Sequence, residues 1–168
     1  ISRYGVGYDN VDVAAAAAKG ISVCNVPDYC TEDVSDHALA LLMSCVRKVP
    51  LRDKHIRNGI WDVQSAGKQF RTCGKTFVFF GYGRIARVLH RKLVGLNLAR
   101  ILVYDLFVKE EIINANGAKK VDMDTALREG DFFSIHMPLN DQTRYMFNET
   151  AFKKMKPTAY FINTARGG

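Results

Sequence analysis

From Thr76 onward, short apolar runs alternate with stretches at helical spacing, and that alternation is the strongest pattern in the chain. Thr76 to Phe80, Ile101 to Tyr104, Phe132 to His136 and Ala159 to Ile162 read as strands, with a shorter one at Lys119 to Val121. Between and around them Ile85 to Val94, Lys109 to Asn116, Met123 to Arg128 and a segment near Glu149 to Met155 read as helices. Strands that are apolar without polar alternation are covered on both faces. They therefore belong to a parallel sheet of βαβ units, and the expected fold class is α/β.

The first half is patterned differently. Ile1 to Tyr4 reads as the end of a strand running into the turn Gly5-Val6-Gly7-Tyr8-Asp9-Asn10. Asn10 is the expected N-cap of an alanine-rich helix over Val11 to Lys19, which Gly20 stops before a strand at Ile21 to Cys24. After a loop around Pro27, Thr31 is expected to cap a strong helix in which Leu39, Leu42, Met43 and Val46 share one face. Pro50 interrupts it after Lys48. A shorter helix over Leu51 to Asn58 and a loop from Gly59 to Lys75 follow.

Composition narrows the class. Hydrophobic residues at 48% and charged residues at 24% exclude disorder, collagen-like repeats and a coiled coil. The longest apolar runs, Val13 to Ala18 and Ala38 to Met43, fall far below the roughly 18 residues of a membrane span. The net charge of +7 comes from scattered Lys and Arg without a polybasic tract, so neither nucleic acid nor membrane is an expected partner. Cys24, Cys30, Cys45 and Cys73 have no CxxC spacing, and two lie in apolar contexts suited to buried thiols. The expectation is a reducing cytoplasm with no disulfide and no metal site.

Candidate chemistry starts at Gly81-Tyr82-Gly83-Arg84-Ile85-Ala86, between an expected strand and an expected helix. Gly81 permits the tight turn, and Gly83 lets the backbone approach a pyrophosphate. The N–H groups of Arg84 and Ile85 lie where a helix N-terminus binds anions, and Ala86 still allows close packing on the sheet. The glycines alone fit a plain strand–helix turn equally well. Asp105 shifts that balance, because it ends the next strand 22 residues after Gly83, near the spacing of an acid that binds the adenosine ribose. With no arginine at Leu106, Phe107 or Val108, NAD is expected over NADP, in a Rossmann-type doubly wound sheet. His136-Met137-Pro138 and Asn163-Thr164-Ala165-Arg166 fall at two further strand ends that would open on the same crevice. Taken alone, His136 fits a satisfied half-buried histidine or a cofactor contact, and Arg166 fits a surface arginine or a carboxylate clamp.

Five colinear strings carry a resemblance: YGVGYDNVD (4–12), NVPDYCTEDVSDHALALLM (25–43), GYGRIARVL (81–89), IHMPLNDQTRYMFN (135–148) and FINTARGG (161–168). Together they resemble the D-isomer-specific 2-hydroxyacid dehydrogenases. The second string is similar to the C-terminal-binding-protein-like members, a branch beside the phosphoglycerate dehydrogenases. The resemblance implies that the backbone N–H groups of Val6 and Gly7 hold a substrate carboxylate. It assigns Gly81, Gly83, Arg84 and Ile85 to the pyrophosphate, Asp105 to the ribose, and His136 and Pro138 to a loop beside the cofactor. Thr164 and Ala165 would lie at the nicotinamide, and Arg166 is the implied catalytic arginine that orients a 2-keto acid. By the same resemblance, residues 1–30 end a flavodoxin-like substrate domain and 31–168 form an incomplete NAD-binding domain, with an interdomain helix at 31–48. Phe79-Phe80, Ala86 and Leu106 depart from the usual pattern without removing a functional group.

The implied activity is hydride transfer between NAD and a D-2-hydroxy or 2-keto acid by a cytoplasmic enzyme, a homodimer at full length. An NAD-binding corepressor acting through protein partners is the alternative. A start at Ile1 and an end at Gly168 read as a piece cut at both ends. The family's glutamate and histidine would follow Arg166, so the 168-residue chain by itself is expected to be catalytically silent.

Overall fold

The computed structural model describes residues 1–167; Gly168, which closes the last motif, lies outside them. The chain order is β1 (Ser2–Arg3), α1 (Val13–Ala18), β2 (Cys24–Asn25), α2 (Thr31–Arg47), α3 (Val49–Arg57), β3 (Thr76–Phe80), α4 (Arg84–Leu93), β4 (Arg100–Tyr104), α5 (Glu110–Ala115), β5 (Lys119–Lys120), α6 (Met123–Glu129), β6 (Phe132–Ile135), α7 (Glu149–Lys154) and β7 (Tyr160–Asn163). Five strands form one parallel sheet in the order β5-β4-β3-β6-β7. β1 and β2 form a separate parallel pair.

The sheet is a Rossmann-type arrangement. The chain winds outward from β3 through β4 to β5, then crosses back to place β6 on the other side of β3. That reversal makes a topological switch point between β3 and β6. Because side chains alternate along a strand, the unbroken apolar run of β3 divides between two layers. Phe77 and Phe79 face Ala38, Leu42 and Val46 of α2 and Ala86, Leu89 and Leu93 of α4. Val78 and Phe80 face Ala126 and Leu127 of α6 and Ala151 of α7. Each fully buried phenylalanine contributes about 1.5–3 kcal/mol of transfer free energy, so this central strand anchors both layers.

The N-terminal boundaries differ from the sequence expectation in instructive ways. The N-cap of α1 is Asp12, whose carboxylate accepts the Ala15 N–H at 2.8 Å, while Asn10 lies in the turn closed by Val11 N–H to Tyr8 O. α2 has no side-chain cap; the Thr31 hydroxyl instead donates to Asp28 O. Lys48, at φ 55°, joins α2 to α3 and lets Pro50 enter in the first turn of the new helix. Of the expected strand Ile21 to Cys24 only Cys24 is paired, in a strand that continues to Asn25. The cysteines also correct the expectation: Cys24 on β2 and Cys45 on the outward side of α2 are exposed, Cys73 is exposed in the turn before β3, and Cys30 is half-buried in the turn before α2. Among the described residues no helix is long and apolar enough to cross a membrane.

Candidate functional site

Since β3, β4, β6 and β7 are all parallel, the residues that follow them emerge on one edge of the sheet. Gly81, Asp105, His136 and Thr164 are those residues, with Gly81 and His136 flanking the switch point.

Gly81 has φ +86°, and a Cβ there would stand 2.9 Å from the backbone carbonyl of His136. Glycine is therefore required by the fold itself. Gly83 is different: its φ of −74° suits any residue, and a Cβ would meet nothing within 4 Å. Packing does not explain this glycine. An open space above the start of α4, without a side-chain cap or an acidic residue in the first turn, leaves the N–H groups of Arg84 and Ile85 to an outside anion. Ala86 is fully buried against the sheet. The Arg84 side chain pairs with Asp28, tying the N-terminal segment to the start of this helix.

Asp105 is held by backbone. Its Oδ2 accepts the Tyr82 N–H at 2.7 Å, and its Oδ1 accepts the N–H groups of Phe107 and Val108 at 2.8 Å each. Burial alone would raise its pKa; the three N–H donors, with Lys120 nearby, outweigh it and hold the carboxyl below the usual carboxylate range. Of the roughly four acceptor positions of a carboxylate, one remains for a ligand hydroxyl.

His136 Nε2 lies 2.8 Å from the Ser134 hydroxyl, and burial lowers its pKa to about 4, so the ring is neutral at neutral pH. Pro138 is exposed on the loop that follows, its carbonyl accepting the Thr143 hydroxyl at 2.6 Å. Thr164 carries a buried hydroxyl with no hydrogen-bond partner among the described residues, an unusual cost for a structure to retain without a ligand to satisfy it.

Arg166 reaches across to the N-terminal turn. Its Nε donates to Asp9 Oδ2 at 2.9 Å, its Nη1 donates to Ala165 O at 2.8 Å, and its Nη2 lies against Gly7, where any Cβ would collide with it. Asn163 shapes the approach: its Oδ1 accepts the Ala165 N–H, and its Nδ2 donates to the Arg166 carbonyl. At the end of β2, Asn25 Nδ2 donates to the Val6 carbonyl at 2.9 Å. Among the described residues the N–H groups of Val6 and Gly7 have no acceptor. Two free N–H groups beside a guanidinium make a carboxylate cradle.

The structure thus places Gly81, Asp105, His136 and Thr164 at the same end of the parallel strands, sets Gly81 against His136, and brings Arg166 to Gly7 and Arg84 to Asp28. Sequence reasoning missed Asp9, Asn25, Asn163 and Tyr82. Asp9 lay in view, two positions past Gly7, but its partner is 157 residues away. The open space over Gly83, the uncapped start of α4, the single free position on Asp105 and the unpartnered Thr164 hydroxyl fit a dinucleotide with its pyrophosphate on the helix and its ribose on the acid.

Comparison with known proteins agrees. Residues 39–168 match the family described as D-isomer specific 2-hydroxyacid dehydrogenase, NAD binding domain. A glyoxylate reductase from Pyrococcus furiosus is 39% identical, covering 99% of this chain and 51% of its own length. A D-3-phosphoglycerate dehydrogenase from Archaeoglobus fulgidus is 36% identical over 100% of this chain and 32% of its own. The structure of a D-lactate dehydrogenase from Aquifex aeolicus, complexed with NAD and lactic acid, superposes with a TM-score of 0.89 at 28% identity, over 99% of this chain and 50% of that one. The chain spans about half the length of the glyoxylate reductase. It belongs to the D-isomer specific 2-hydroxyacid dehydrogenase family and carries the family's NAD-binding domain.

Proposed function

We propose that the protein containing this chain is an NAD-dependent oxidoreductase acting on a small D-2-hydroxy or 2-keto acid, with glyoxylate the first substrate to test. The observation that carries this reading is the Arg166 guanidinium lying against Gly7, beside the free N–H groups of Val6 and Gly7. There the substrate carboxylate is held by the two N–H groups and one edge of the guanidinium, which also polarises the C2 carbonyl. Bound NAD supplies the hydride acceptor, or NADH the donor, at C2. Asp105 excludes a 2′-phosphate by charge. His136 is a poor proton donor, since its ring is neutral at neutral pH and engaged by Ser134. The resemblance assigns proton exchange to a glutamate–histidine pair beyond Arg166.

The test is NADH oxidation by the full-length protein with glyoxylate, hydroxypyruvate and pyruvate. Arg166→Lys should lower kcat/KM about 100-fold or more, because an ammonium cannot reproduce the fork. Asp9→Asn should raise the KM for the keto acid while moving the melting temperature by less than about 1 °C, since exposed ion pairs stabilise little. No turnover with any acid, or an unaffected Arg166→Lys, would sink the reading.

The domain boundary near residue 30 and a cytoplasmic location go with this proposal. So does a homodimer, supported by the apolar surface of α3 and the loop after it, where Val49, Ile56 and Val63 are exposed and Trp61 is 89% exposed. Sedimentation showing an unchanged assembly state for Trp61→Glu would place any interface elsewhere.

A further inference from the structure

A Gly-X-Gly loop has a single side chain with which to hold itself, and here it is Tyr82. Its ring is fully buried beneath the loop, edge-on to Phe79 at 5.7 Å between centroids. The phenolic oxygen lies 2.5 Å from Nδ1 of His90, which is buried on α4. The backbone N–H of the same residue donates to Asp105 Oδ2. One residue therefore ties together the glycine loop, the helix beneath the loop and the acid at the end of β4.

A phenylalanine would fill this space, and an apolar pair would spare the desolvation of a hydroxyl and an imidazole. Burial pushes the Tyr82 phenol up and the His90 imidazole down. Both are neutral at neutral pH, so a single hydrogen bond joins them, with its direction set by the imidazole tautomer. Gly81 and Gly83 cannot fix the loop themselves, because glycine leaves backbone torsions free.

Resting on the cofactor reading above, we infer that Tyr82 and His90 are a positioning pair for the dinucleotide. Their buried hydrogen bond sets the height and rotation of residues 81–83 over α4. It thereby aims the loop and the Asp105 carboxylate without touching the ligand.

Calorimetric titration of the full-length protein with ADP-ribose and with NADH, beside thermal melting, tests this. Tyr82→Phe should bind both ligands about three- to tenfold more weakly, the range spanned by one ordinary hydrogen bond, with kcat at saturating NADH within about twofold of the parent. Tyr82→Phe strands Nδ1 of His90, so its melting temperature falls. The double variant Tyr82→Phe/His90→Leu replaces both partners with apolar groups and should recover the melting temperature but not the affinity. Affinity that returns together with stability would make the pair merely structural and overturn the inference. So would a Tyr82→Phe that binds like the parent. A parent that fails to bind ADP-ribose would instead overturn the cofactor reading itself.

Discussion

The two edges of the five-stranded sheet are built on opposite plans. At the N-terminal edge Asp131 accepts the Thr76 N–H at 2.9 Å and Lys156 Nζ at 3.0 Å, Lys75 stands 3.7 Å away, and Arg100 bridges Thr76 and Glu129. Polar groups there are satisfied within the chain. At the C-terminal edge a helix starts without a side-chain cap, Gly83 leaves open space, the Thr164 hydroxyl has no partner among the described residues, and Arg166 reaches the N-terminal turn where the Val6 and Gly7 N–H groups have none among them either. One edge closes the fold and the other leaves its hydrogen-bonding capacity for ligands. Identical strands supply both, so the difference lies in the residues just beyond their ends.

Substitutions can break that contrast in graded ways. Gly81→Ala joins the two plans, because this open-edge glycine is also required by the fold; it should cost about 3 kcal/mol or more and weaken NADH binding beyond about 100-fold. Denaturant titration and calorimetry together check this. Asp131→Ala should act on one side only. Loss of the carboxylate leaves the buried Thr76 N–H unpaired and takes the charge partner from Lys156, which keeps its bond to the Glu129 carbonyl, for about 2 kcal/mol of stability, while NADH affinity of the folded protein stays within about twofold. If affinity collapsed with it, the edges would not be separable.

A smaller effect comes through pH. The His136 pKa is about 4 when folded and 6.5 as a free group, so between these values the unfolded chain binds the extra proton and stability falls as pH drops. Partial exposure of the ring brings this to about 2 kcal/mol. Asp131 and Asp105, both held below 3.8, extend the loss to lower pH, since their contribution is present above that value and disappears as each is protonated. Stability curves of the parent and His136→Asn should differ in slope between pH 6.5 and 4. Parallel curves there would remove His136 from the account.

The sheet was legible in the sequence because its strands are covered on both faces. Phe77, Val78, Phe79 and Phe80 form an apolar run that only a buried strand accommodates, and Gly81 and Asp105 sit at the strand ends that this implies. The N-terminal segment was less legible. Asn10 and Asp12 are both competent caps, and only the turn at Tyr8 to Val11 selects the second. Cysteine neighbours along the chain say little about burial when the residue lies on the outward side of a helix, as Cys45 does. The Asp9–Arg166 and Asp28–Arg84 pairs join residues far apart in sequence, for which neither helical nor strand spacing carries a signal.

If the open edge is a dinucleotide site, Asp105 is its ribose acid. Calorimetric titration of the full-length protein with NADH and with NADPH, for the parent and for Asp105→Ala, checks this. The parent should bind NADH at least about tenfold more tightly than NADPH, and Asp105→Ala should reduce that ratio toward one by losing the repulsion of the 2′-phosphate. Equal affinities in the parent, or an undiminished preference in Asp105→Ala, would contradict it.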